Sequence, residues 1–174
     1  MGNQIPNGVG MELDERLAIV SAQEELLRFE TFTHEDAWEL GKIFVAEAMD
    51  KDLKIAISIK LMSGLTLFQY SAEGSNLSNE SWIDRKFRTV LNFEMSTLHY
   101  ALWLKQKGSS LEERGLDPTK FVACGGGFPI YVEGVGTVGV AIVSGLTDVR
   151  DHETIVKCIS RFIGEDNVPH YPVD

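Results

Sequence analysis

The chain has 174 residues, 44% of them hydrophobic, and a formal net charge of −10. That length suits one domain with a sizeable core. A nonspecific nucleic-acid binder neutralises phosphates with clustered Lys and Arg, so the acidity excludes that class and argues equally against an anionic membrane partner.

Residues 1–10 are rich in Gly, Asn and Pro without periodicity and read as a disordered lead. Met1-Gly2 invites a myristoylation check, which fails because position 6 is Pro rather than Ser or Thr. No basic region followed by an apolar one marks a secretory signal. No apolar run approaches the ~18 residues of a membrane span. The expected location is therefore cytoplasmic.

Leu13, Leu17, Val20 and Leu27 give residues 12–29 the spacing of an acidic amphipathic helix. Thr33 then reads as the N-cap of a second helix, with Asp36 placed to complete a capping box. Ala37, Leu40, Gly41, Phe44 and Ala48 form its apolar face, and Gly41 implies close packing against a sheet. Ile55–Leu61 and Leu65–Tyr70 flank a short turn at 62–64 and predict an antiparallel hairpin. A polar loop leads to a long helical region over 79–107. Its apolar stripe is Ile83, Phe87, Val90, Leu91, Met95 and Leu98, and Ser96-Thr97 marks a restart. Residues 108–118 read as an irregular surface connection with at most one helical turn.

Phe121–Val132 carries three adjacent glycines into a Pro-Ile-Tyr-Val strand. Residues 136–146 return as an almost wholly apolar strand ending in Ser144-Gly145. This second hairpin is expected at the centre of the sheet. Asp148–Ile163 closes the fold as a helix with Ile155, Ile159 and Phe162 inward, ended by Gly164. The order predicts an α+β fold with a mainly antiparallel sheet of four or five strands and helices on its faces. One domain is expected over 11–164, followed by an irregular tail over 165–174.

No complete catalytic motif is present, and the catalytic residues are left unassigned. Gly125-Gly126-Gly127 lacks the Lys-Ser/Thr of a phosphate loop and precedes a strand, whereas such loops open helices. The plain interpretation is a loop needing positive φ and tight backbone packing, and the alternative is a wall for a small ligand or partner. The four histidines show no ligand-like spacing, so no metal site is assigned. His152, beside Asp151 at the start of the last helix, is the one best placed to bind a metal or haem iron or to shuttle a proton. Cys124 and Cys158 read as reduced, packed thiols, Cys124 as a strand residue. Trp82-Ile-Asp-Arg85-Lys86, with Arg88, is the densest basic cluster after residue 80. It is either a solvated helical face or a carboxylate-recognition patch.

Gly-Gly-Gly-Phe-Pro-Ile, Gly-x-Val-Gly-Val-Ala-Ile-Val-Ser-Gly and Asp151-His152-Glu153 together resemble the HbpS/GlcG-like "haem-degrading" domain family. Thr31-Phe-Thr-x-Glu-Asp-Ala and Trp82-Ile-x-Arg-Lys86 look like its mostly uncharacterised fungal and bacterial branch. The match covers roughly residues 28–164. The resemblance implies a profilin-like α-β-α sandwich with a five-stranded antiparallel sheet, and a homo-oligomer built from dimers. For some members it also implies haem or another tetrapyrrole as ligand. No residue here matches a proven haem ligand, so the cofactor is left unknown.

Three functions are open at this level. The first is a small-ligand domain, tetrapyrrole among the candidates. Its pocket would involve Gly125, Gly126, Gly127, Pro129, Trp82, Arg85, Lys86, Asp151 and His152. The second is a non-enzymatic oligomeric scaffold or adaptor that binds other proteins. The third, an enzyme acting on a small carbonyl or glycolate-type metabolite, rests on association alone.

Overall fold

The structure, a computed structural model, describes residues 11–173. The expected disordered lead over 1–10 lies outside the described residues. Helix α1 (Leu13–Leu26) and helix α2 (His34–Asp50) precede a hairpin of β1 (Ala56–Leu61) and β2 (Thr66–Ser71). Helices α3 (Leu77–Phe93) and α4 (Thr97–Lys107) follow, then a single 3-10 turn at Glu112–Arg114. Strands β3 (Gly127–Val132) and β4 (Gly136–Ser144) form the second hairpin, and α5 (Asp148–Ile163) completes the order. Among the described residues no helix is long and apolar enough to cross a membrane.

The sheet is antiparallel with the order β2-β1-β4-β3. It has four strands, so the five expected from family resemblance are one too many. Beyond the four strands, residue 29 adds a single isolated bridge to β3. The Phe29 N–H donates to the Tyr131 carbonyl at 2.8 Å, and the Glu133 N–H donates to the Phe29 carbonyl at 2.9 Å. Residues 28–30 run beside β3 for that one contact and then turn into α2, too briefly to be a strand. The second hairpin is also only half central: β4 lies inside the sheet while β3 is its edge. Pro129 explains why, because a strand without one N–H is tolerated at an edge.

Alternation sets the layers. Ile57, Ile59, Ala141 and Val143 point to one face of the sheet, where Leu40, Phe44, Ile155 and Ile159 of α2 and α5 cover them. Ala56, Val140 and Ile142 point to the other face, under Ile83 and Val90 of α3. A third apolar cluster joins α1 to α4 through Val20, Leu98 and Leu102, and Tyr171 of the tail packs into it. The result is an α-β-α sandwich with the α1–α4 pair at one end.

Local chemistry agrees with these boundaries. Thr33 and Asp36 form the capping box of α2, with reciprocal bonds of 3.1 and 2.7 Å. A Cβ on Gly41 would collide with the Phe68 ring, so the glycine lets α2 lie directly on β2. The long helical region breaks at Glu94, which takes a left-handed backbone at φ 55°, and restarts where the Ser96 hydroxyl accepts from the His99 N–H at 3.1 Å. Glu24 of α1 reinforces that restart by accepting from the Ser96 N–H at 2.7 Å and pairing with His99 at 2.9 Å.

One expected face is rotated. Leu91, placed on the apolar stripe of α3, is exposed, while Lys86 and Thr89 are buried. Two polar residues thus occupy inward positions of a helix, and what they hold defines the site below.

Candidate functional site

A cleft of about 520 Å³ opens where the N-terminal half of α3, residue 124 and the β4–α5 junction meet. Its walls are Asn76, Ser78, Asn79 and Trp82 on one side and Ser144, Gly145, Leu146 and Asp148 on the other, with Cys124 between them. Lys86 and Asp151 form its floor.

The floor is a buried ion pair. Lys86 is 2% exposed and Asp151 is 3% exposed. Lys86 Nζ donates to Asp151 Oδ2 and to the Val143 carbonyl, both at 2.9 Å. The remaining carboxylate capacity is met by the chain turning from β4 into α5. The Leu146 N–H donates to Asp151 Oδ1 at 2.9 Å, and the Gly145 N–H donates to Oδ2 at 3.4 Å. Burial pushes the Asp151 carboxyl above its ordinary range, against the pull of Lys86 and these two amides. Lys86 is therefore not a solvated charge. It ties α3 to the strand–helix junction.

The triple glycine explains itself against the same elements. A Cβ on Gly125 would strike the Asp148 carbonyl, and one on Gly126 would strike Lys86 Nζ and the Val143 carbonyl. One on Gly127 would press on Thr97. Gly126 also has φ +120°, a region that side chains rarely adopt. The loop is thin because α3, α4 and α5 all reach its backbone. Thr97 fixes it by accepting from the Gly127 N–H at 2.9 Å, and Gly126 accepts from the Val143 N–H at 2.9 Å. The glycines lie behind the cleft rather than on its surface.

Of the residues singled out from sequence, Trp82, Lys86 and Asp151 come together at the cleft. Arg85 turns aside. Its guanidinium donates to the Pro118 carbonyl at 2.8 Å and lies 4.5 Å from the Trp82 ring centroid, so it anchors the 118–121 loop and steadies that ring. Pro129 sits within β3, paired with Val140, and does not line the cleft. Cys124 belongs to the loop before β3, not to the strand, and is half-buried. Burial pushes its thiol up. Cys158 is buried in the core, where its thiol is pushed up to about 12.

His152 is fully buried and faces away from the cleft, toward α1 and the tail. Gln23 donates through Nε2 to Glu153 Oε1 at 2.6 Å and to the Pro169 carbonyl at 2.8 Å, so its Oε1 is left to accept. His152 Nε2 lies 2.7 Å from that oxygen and so carries the proton, leaving Nδ1 a buried acceptor without a partner. Burial, with a smaller contribution from His99, pushes the imidazole down to about 3. It is a structural neutral histidine. Gln23, which no sequence motif singled out, carries the network that docks the tail.

Sequence reasoning passed over Asn76, Ser78, Asn79, Ser144 and Asp148 as site residues. Asn76 and Asn79 had a visible signal as a cap pair opening a helix. The Asn76 side chain accepts from the Ser78 N–H at 3.0 Å, and Asn79 donates to the Ser144 carbonyl at 3.2 Å, closing the cleft's upper edge.

Fold and site together define a small α+β sandwich domain with a polar cleft at its strand–helix junction. A family model described as "Haem degrading protein HbpS-like" matches residues 32–160, and the chain belongs to this family. It is 40% identical over 150 residues to the UPF0303 protein SCO2848 of Streptomyces coelicolor, covering 86% of this chain and 94% of the relative. It is 35% identical over 156 residues to a UPF0303 protein of Rhizobium rhizogenes, covering 90% and 96%. Among solved structures, the Ybr137w protein matches with a TM-score of 0.79 and 30% identity over 88% of this chain and 91% of that one. HbpS shares the fold with a TM-score of 0.61 at 19% identity over 79% of this chain and 94% of that one. A PduOC:Heme complex shares it with a TM-score of 0.61 at 21% identity over 82% and 99%.

Proposed function

We propose that this chain is a small-ligand-binding domain whose ligand sits in the cleft above Lys86 and Asp151. The observation that carries this reading is a polar cleft floored by a buried ion pair and edged by an indole that is 39% exposed. Lys86 uses two of its three N–H donors internally, which leaves one for an acceptor on a ligand. Ser78 and Ser144 add hydroxyls, and Trp82 offers a flat apolar surface. The ligand these groups suit is small and polar, with a carbonyl or carboxylate oxygen and one planar face.

Haem, suggested by the family's description and by the PduOC:Heme complex, does not fit the cleft of one protomer. No imidazole or phenol lines it. Cys124 would have to lose its proton to ligate iron, and burial works against that. Arg85 is committed to the 118–121 loop, and the single donor left on Lys86 meets at most one oxygen of one propionate.

Native mass spectrometry of the purified chain, with a haemin titration beside it, tests the reading. A bound small molecule that is lost in Trp82→Ala, with no saturable Soret change, is the expected result. A Soret band that saturates at one haem per chain and survives Trp82→Ala overturns it.

Self-association has its own support. Trp38 is 58% exposed on α2, Leu65 is 55% exposed at the β1–β2 turn, and β2 has one unpaired edge. Apolar groups beside an open strand edge favour a partner surface, here a second copy. Light scattering behind size exclusion, on wild type and on Trp38→Glu, reads this directly: the wild type is expected above monomer mass and the variant at monomer mass.

A further inference from the structure

On another face of α5 from the one that meets the cleft, the carboxylate of Glu47 is surrounded by cations. Lys51 and Lys157 reach its Oε1 at 2.5 and 2.9 Å, and Arg161 reaches Oε2 at 2.8 Å. Glu47 itself is buried. One carboxylate thus serves three positive groups. Arg150, Lys157 and Arg161 lie at i, i+7 and i+11, which puts them on one face of α5. Arg150 makes no ion pair among the described residues. Lys51, Arg150 and Lys157 line a depression of about 280 Å³ whose other wall is Thr154 and the docked tail from His170 to Val173.

The second carboxylate at this depression does not balance the excess. Glu153 already accepts from Gln23 at 2.6 Å and from the Tyr171 N–H at 3.0 Å, and pairs with His170 at 2.9 Å. Among the described residues three cations, Lys51, Arg150 and Lys157, line the depression against two carboxylates, on a chain whose net charge is −10. Like charges held this close repel unless an anion lies between them. An Arg fork beside Lys ammoniums is a donor set that tetrahedral oxyanions select.

We propose that this depression is an anion site for a phosphate group, free or as the monoester of a small metabolite. It is separate from the cleft and independent of the reading given for that cleft. Glu47 holds Lys51, Lys157 and Arg161 in place, and Arg150 closes on the ligand from the start of α5.

The test is calorimetric titration of the full chain with inorganic phosphate and, separately, with glycerol 3-phosphate, at constant ionic strength balanced by chloride. Saturable binding is expected, weakened roughly ten-fold or more in Arg150→Gln/Lys157→Gln. The double variant also loses the Lys157 bond to Glu47. Arg150→Gln alone breaks no ion pair among the described residues, so it is the control expected to melt like wild type in chloride while still binding phosphate more weakly. Trp82→Ala is expected to bind phosphate normally. Tighter binding of the monoester assigns the site to a phosphorylated metabolite, and equal binding assigns it to the free anion. The absence of saturable heat with either probe overturns the proposal, as does undiminished binding by the double variant.

Discussion

Lys86 Nζ lies 2.9 Å from Asp151 Oδ2, across 65 residues of sequence, and both side chains are sealed from bulk water. The pair joins α3 to the turn between β4 and α5, the two walls of the cleft. Charges this buried persist only when paired and hydrogen-bonded, and here the Val143 carbonyl and the Leu146 N–H complete the set.

Breaking the pair from one side leaves an uncompensated charge. Lys86→Met is expected to cost about 3–5 kcal/mol of stability in urea unfolding. Adding Asp151→Leu is expected to recover part of that loss, though not all of it, because the Leu146 N–H loses its acceptor. A single variant within about 1 kcal/mol of wild type would place the pair among weak surface bridges instead.

The glycine loop predicts an ordering among alanine variants. Gly126→Ala meets both a φ of +120° and the Lys86 side chain, whereas Gly134→Ala meets a positive φ in open space. The second is expected to cost about 1 kcal/mol and the first several-fold more. Equal losses in chemical unfolding would show that φ alone explains the glycine at 126.

His152 makes stability depend on acid. Its folded value, about 3, lies below the ordinary 6.5, so between these values the unfolded chain holds a proton that the folded chain does not. Its contribution is full above 6.5 and falls as pH drops toward 3, at about 1.4 kcal/mol per pH unit. In His152→Gln the slope is expected to shallow by that amount between those limits, leaving the part that Glu47 contributes below 4.5.

Glu47 acts in a lower window. Burial alone would raise its carboxyl, but the hydrogen bonds from Lys51, Lys157 and Arg161 outweigh burial and bring it from 4.5 to about 2. A depressed carboxyl stabilises the fold above its unfolded value and stops doing so as pH falls through the folded one. Glu47→Gln is therefore expected to cost roughly 1–3 kcal/mol at neutral pH, a deficit that shrinks as pH falls below 4.5 and vanishes below about 2.

The elements were legible because their signals are local. Thr33 with Asp36, the restart at Ser96 and the stop at Gly164 each announce a boundary within a few residues, and the structure places them there. Strand count was not legible. Residues 28–30 carry the right side chains to lie beside β3, but whether they pair for one residue or five depends on where α2 begins to turn away. The family pattern supplied a fifth strand, which the chain does not form among the described residues.

The site was half legible. Trp82, Lys86 and Asp151 stood out as residue types, yet their arrangement was hidden. The basic cluster around Lys86 read as a solvated face or a carboxylate-recognition patch, and a lysine off the apolar stripe is ordinarily solvent-bound. Only its distant partner Asp151 makes the inward position tolerable, and no local pattern links them. His152 shows the converse. Its position beside Asp151 drew attention to the cleft, but consecutive helical residues diverge by about 100°, so His152 faces α1 while Asp151 faces Lys86. Gln23 gave no signal at all, because a lone glutamine in an amphipathic helix reads as surface.

The most direct measurement is a crystal structure of the chain as purified, without added ligand. Non-protein density lying against Trp82, with an oxygen within hydrogen-bond reach of Lys86 Nζ, is the predicted result. Water alone in that cleft, with a small molecule bound elsewhere on the chain, would contradict it.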